Sequence, residues 1–123
     1  APQDEEAKRL PFAQSAFGGI GLETLLAVSL GLYHNDGMPL IELLRRLTCG
    51  PADLLGLPVG RLVKGGPADL TLFDLERGWK VDADDLLSKS KNSPFDGCPV
   101  QGMVLRCVID GRPVFEVDGS KVK

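Results

Sequence analysis

Histidine is nearly absent from this 123-residue chain, where His34 stands alone. Cysteine is scarce as well: Cys49, Cys98 and Cys107 lie far apart, with no CxxC spacing. A zinc site ordinarily draws three or four His, Cys or acidic ligands at recognisable spacing, so the sequence supplies no metal cage of its own. An odd, scattered set of cysteines argues against a disulfide-stapled secreted scaffold and fits a reducing compartment, the cytoplasm. Basic clustering is missing too. The net charge is -3, and Arg45-Arg46 and Lys89 to Lys91 are short interruptions of an otherwise mixed surface. Nucleic-acid binding calls for a clustered basic face, and none is present. The longest mostly apolar run, residues 25–33, falls well short of the roughly 20 residues that cross a membrane. No targeting peptide and no internal repeat is visible. The chain opens at APQDEEAKRLPF without an initiator Met, as though cut from something longer.

What remains is a globular composition, 43% hydrophobic and 25% charged, with apolar material for one core. The stretch Gly60 to Asp74, GRLVKGGPADLTLFD, divides it. Gly65-Gly66-Pro67 marks a turn, and the β-prone run Leu70 to Phe73 reads as a strand, with Asp69 a structural acid at its start. Before this stretch the pattern is helical. A short turn of helix is expected around Asp4 to Arg9, in an otherwise solvated loop. From Gly21 to Asn35, Leu22, Leu25, Leu26, Leu30 and Tyr33 form a wide stripe, and Val28 and Leu32 add apolar groups opposite. A helix apolar nearly all round belongs inside a larger structure. Asn35-Asp36-Gly37 stops it, with His34 as a helix-end residue. A second helix is predicted over Pro39 to Thr48, with Pro in the first position, ended by Gly50. Pro51 starts a short third, Ala52 to Leu55, closed by Gly56.

After residue 60 the chain turns to strands and loops. Trp79-Lys80-Val81 reads as a short strand, and Asp82 as the N-cap of a single turn. Ser88 to Gly97, SKSKNSPFDG, is a polar loop, in which Lys89 and Lys91 serve loop packing or a subunit contact. Met103 to Asp110 and Pro113 to Val117 form a hairpin whose turn begins Asp110-Gly111, a strong hairpin signal. Residues 118–123 are expected to fray.

These stretches together resemble the C-terminal part of bacterial dihydroorotases, in the amidohydrolase superfamily. TCGPADLLGLPVGRLVKGGPADLTLFD (48–74) is a pattern shared across that superfamily. FGGIGLETLL (17–26), and above all SKSKNSPFDG (88–97), look like the dihydroorotase branch. The resemblance implies an α/β architecture. Residues 1–57 would be the last loop and helices of an incomplete, metal-dependent (β/α)8 barrel, and residues 58–123 the C-terminal strands of a small β-sandwich domain. It implies a parent enzyme that interconverts N-carbamoyl-L-aspartate and L-dihydroorotate in pyrimidine synthesis, through hydroxide on bound zinc. The family's metal-associated aspartate and its neighbouring histidine would lie just before Ala1, so no catalytic or metal residue is expected here. Phe17 and Gly18 match the family's backbone contact with substrate. Gln3 falls where many members carry a substrate-binding histidine, and an amide there offers a hydrogen bond without a charge. The partners implied are the missing N-terminal part of the barrel, a second copy, or aspartate carbamoyltransferase. The last follows because some dihydroorotase-like members lack metal ligands and act as non-catalytic partner subunits of that enzyme.

Overall fold

The computed structural model describes residues 5–117, with helices α1 (Glu5–Lys8), α2 (Leu25–His34), α3 (Leu40–Leu47) and α4 (Cys49–Leu55). They precede strands β1 (Leu70–Lys80), β2 (Pro99–Ile109) and β3 (Arg112–Glu116), an antiparallel sheet in the order β1-β2-β3. The frayed tail expected at 118–123, and Asp4 of the first helical turn, lie outside the described residues.

The sheet is longer and less regular than the sequence predicts. The two pieces expected at 70–73 and 79–81 are one strand, β1, and β2 begins four residues before Met103. Between Leu72 and Gly78 the register shifts twice, at Leu72/Phe73 and between Asp74 and Gly78. Asp74 Oδ1 holds that irregularity together by accepting the Glu76 N–H at 2.8 Å and the Arg77 N–H at 3.3 Å. At the other end Asp110 (φ 50°) and Gly111 (φ 72°) both take left-handed backbone, as a tight two-residue hairpin turn requires. Asp69 is structural, as expected. Its Oδ1 accepts the Asp110 N–H at 2.8 Å, while Gly111 N–H reaches the Ala68 carbonyl at 3.0 Å.

Helix α2 packs on β2. It starts at Leu25 instead of Gly21, because residues 22–24 form a tight turn in which the Thr24 N–H and Oγ1 both reach the Gly21 carbonyl. Pro39 caps α3 from outside (φ -57°, ψ 133°) and is not its first residue. Gly50 does not end that helix; it sits inside α4. The break is at Thr48 (φ -125°, ψ -86°), whose hydroxyl donates back to the Leu44 carbonyl at 2.7 Å. A Cβ at Gly50 would sit 3.2 Å from the Arg45 carbonyl oxygen, so a side chain there would crowd the corner. Gly56 (φ 66°) closes α4 as a left-handed cap. Arg61 then grips both oxygens of Asp53 at 2.6 and 2.7 Å. That hydrogen bond, the carboxylate's charge and the nearby Cys49 raise the Arg61 pKa, against a small opposing effect of burial.

The core lies between α2 and the sheet and continues under the 81–86 segment. Leu30 and Val81 are fully buried, with Leu43, Thr24, Ala27, Ala83 and Leu86 around them. The tightest point is at Gly102 (φ 107°), where a Cβ would come within 2.2 Å of Leu30 Cδ1. Beyond this small core the surface is apolar to an unusual degree. Leu22, Ile41, Leu54 and Leu62 are each more than two-thirds exposed. A groove of about 750 Å³ lined by Leu25, Ile41, Leu44, Phe73 and Val104 runs between the helices and β1.

Three outcomes are expected. Leu30→Ala should cost about 3 kcal/mol in urea unfolding, as for a fully buried leucine. Gly102→Ala should be less costly in the Leu30→Ala background than in the parent, because the two sites share one space. Because large single-copy surfaces of this kind associate, the 123-residue chain by itself should elute in light-scattering chromatography as dimers or larger. A monodisperse monomer would contradict that.

Candidate functional site

Two loops far apart in sequence meet beside the N-terminus of α2: residues 15–24 and residues 82–97. The first is built around glycine. Gly18 adopts φ 89°, a region that costs other residues roughly 1–2 kcal/mol, and it turns the chain so that the Phe17 ring stands out into solvent, 89% exposed. Phe17 is therefore no core residue. Among the described residues nothing accepts the amide N–H of Phe17 or of Gly18. Both donors are free for a ligand.

Two carbonyls of the same segment, those of Ala16 and Gly18, are occupied. Lys8 Nζ donates to the Ala16 carbonyl at 3.0 Å and to the Gly18 carbonyl, and Asn92 Nδ2 donates to the Gly18 carbonyl at 3.3 Å. Ser15 Oγ donates to the Lys8 carbonyl at 3.0 Å, which fastens α1 to the loop. From the other side, the Ile20 N–H reaches the Asn92 carbonyl at 3.3 Å.

The second loop is braced internally and across the gap. Lys91 Nζ donates to the Asp84 and Leu86 carbonyls at 3.0 and 2.6 Å, which is the loop-packing role expected of it. Asp82 Oδ1 accepts the Asp84 N–H at 3.0 Å, and Asp96 Oδ1 the Ala83 N–H at 2.9 Å. Glu23 makes the bridge: its two carboxylate oxygens accept the Leu87 and Ser88 N–H groups at 2.9 and 3.0 Å. An open cleft of about 530 Å³ lies between the two loops, bounded by Gly19, Leu22, Glu23 and Leu87.

Of the site residues expected from the sequence, Phe17 and Gly18 sit at this junction, and Gln3 lies outside the described residues. Lys8, Glu23 and Asn92 went unmarked. Asn92 was within reach, since it lies in the SKSKNSPFDG motif; Lys8 carries no local signal. His34 is the last residue of α2, as expected, with its Nε2 buried and unpartnered and the Tyr33 ring edge-on at 5.0 Å. Among the described residues, no group of three or more His, Cys, Asp or Glu is placed to hold a metal ion.

Comparison with known proteins adds a family. The amidohydrolase family matches residues 14–114. A dihydroorotase of Anaplasma phagocytophilum (strain HZ) is 49% identical over 118 residues, 96% of this chain and 26% of that protein. One of Geobacter metallireducens is 40% identical over 116 residues, 94% of this chain and 27% of that protein. The chain thus spans about a quarter of the length of the curated relatives it matches. Among solved structures, an L-hydantoinase from Arthrobacter aurescens superposes with a TM-score of 0.78 at 38% identity, over 85% of this chain and 24% of that one. A D-hydantoinase gives 0.82 at 18% identity over 92% of this chain and 25% of that one, a likeness of fold alone.

Glu23→Ala should release the 82–97 loop without unfolding the core. Losing two charge-assisted bonds at an exposed position, about 1 kcal/mol in all, should speed tryptic cleavage after Lys89 by about fivefold. An unchanged digestion rate would show that the bridge does not restrain the loop.

Proposed function

This chain belongs to the amidohydrolase family, and from that premise we propose that it is the C-terminal portion of a dihydroorotase. The reaction is the interconversion of N-carbamoyl-L-aspartate and L-dihydroorotate by closing and opening a cyclic amide. One observation carries the reading: identity of up to 49% to dihydroorotases runs through 96% of the chain. On this reading residues 1–57 are the last loop and helices of a (β/α)8 barrel, and residues 58–123 are strands of the small β domain. The apolar surfaces of α2, α3 and the sheet are then interior surfaces that the rest of a cytoplasmic enzyme covers. Barrels of this kind carry their sites at the C-terminal ends of their strands, in the loops that follow. The 15–24 loop is one of them.

In this role the backbone at Phe17 and Gly18 binds substrate. Their N–H groups suit a carboxylate or a ring carbonyl oxygen, since a main-chain donor fixes direction without adding charge. Gln3, which lies outside the described residues, is on this reading a further residue that binds substrate, through an uncharged amide. Zinc supplies the hydroxide in such enzymes, but the described residues offer no donor set that fits it. The ligands belong to the remainder of the enzyme, and what this chain contributes is substrate orientation.

The test is an assay of the longer protein that carries this sequence, following loss of the dihydroorotate ring by its ultraviolet absorbance. Turnover is expected from that protein, and none from the 123-residue chain alone with added zinc. In the longer protein Gly18→Ala should raise KM about tenfold, the equivalent of ~1.4 kcal/mol, as the backbone leaves its left-handed conformation. Absence of turnover by the metal-loaded longer protein would end the reading.

A further inference from the structure

Resting on the reading of Phe17 and Gly18 as the substrate contact, we propose that Asn92 is a positioning residue: with Lys8, it fixes the peptide planes on either side of the Gly18 amide and so limits where that amide points. The peptide geometry makes this specific. Each peptide unit is planar, so holding a carbonyl also fixes the N–H of the following residue. Lys8 on the Ala16 carbonyl pins the plane that contains the Phe17 N–H. Lys8 and Asn92 together on the Gly18 carbonyl pin the plane that contains the Gly19 N–H. The one peptide left between them, bearing the Gly18 N–H, is bounded on both sides by fixed planes.

Asn92 holds the segment twice, because its own carbonyl accepts the Ile20 N–H at 3.3 Å while its side chain reaches Gly18. Gly19 is trapped between those two points. A Cβ there would stand 3.1 Å from Pro94 Cδ and 3.3 Å from the Asn92 carbonyl oxygen, so the two loops touch backbone to backbone. The Asn92 side chain also pays a cost to stay where it is. Its Oδ1 is buried with no partner, and turning the amide over would point that oxygen at the Gly18 carbonyl. The orientation seen is the one that serves Gly18. The Asn92 side chain thus reaches the substrate loop from the segment that follows the β1 strand, 74 residues away in sequence.

The experiment uses the longer protein with Asn92→Ala, and Asn92→Asp as the isosteric variant that loses the donor. Each should raise KM for dihydroorotate about tenfold while kcat stays within about twofold, the signature of lost ground-state and transition-state binding alike. Hydrogen exchange at Ile20, whose N–H is held by the Asn92 carbonyl, should quicken about tenfold in the same variants, with residues 99–116 unchanged. Unaltered exchange at Ile20 overturns the latch. Faster exchange with the parental KM overturns the positioning role while leaving the reaction standing. A parent protein without turnover overturns the reaction, and the role of Asn92 falls with it whatever the exchange shows.

Discussion

How closely α2 can lie on β2 is decided at one point, where Leu30 fills the space that a side chain at residue 102 would need. Gly102 gives way on two counts at once: it has no Cβ, and it accepts φ 107°. The Trp79 indole, donating to the Gly102 carbonyl at 2.9 Å, fastens the same residue to the neighbouring strand. Because α2 is held flat there, its N-terminal end arrives beside the 82–97 loop, and Glu23 can meet Leu87 and Ser88. The site is downstream of that packing.

The junction itself is made of hydrogen bonds more than of buried area. Each bond of this kind is worth only about 1 kcal/mol net, yet bonds have direction where hydrophobic contact has none. A surface that must present two backbone N–H groups at a set angle needs direction. Lys8, Glu23, Lys91 and Asn92 provide it, while the leucines of α2 and α3 hold the layers together. Lys8, Lys91, Glu23, Asp82 and Asp96 are thereby engaged by the loops' own backbone. This leaves main-chain N–H groups as the free polar donors at Phe17 and Gly18.

Much of this was legible from residue patterns. Asp110-Gly111 marks the β2–β3 turn, Asn35-Asp36-Gly37 marks the end of α2, and Asp69 stands at a strand start, where a structural acid is expected. The misses share a cause. Gly50 reads locally as a helix stop and Gly102 carries no local signal, but each is a place where another backbone or side chain approaches, which only tertiary packing reveals. The continuity of β1 through its register shifts is hidden because it depends on the Asp74 side chain satisfying its own strand's backbone. Phe17-Gly18 and the NSPF loop were each recognisable. That they touch was not, since no periodicity connects residues 74 positions apart.

That separation also orders the steps by which the chain takes shape. The β2–β3 hairpin closes through the two-residue turn at Asp110-Gly111, an event of microseconds. Bringing Asn92 to Gly18 means closing a loop of 74 residues, which costs roughly 2 kcal/mol more chain entropy than closing one of about ten. The strand scaffold therefore forms early and the junction late, after α2 has docked. A nascent chain carrying this sequence has a sheet before it has a site.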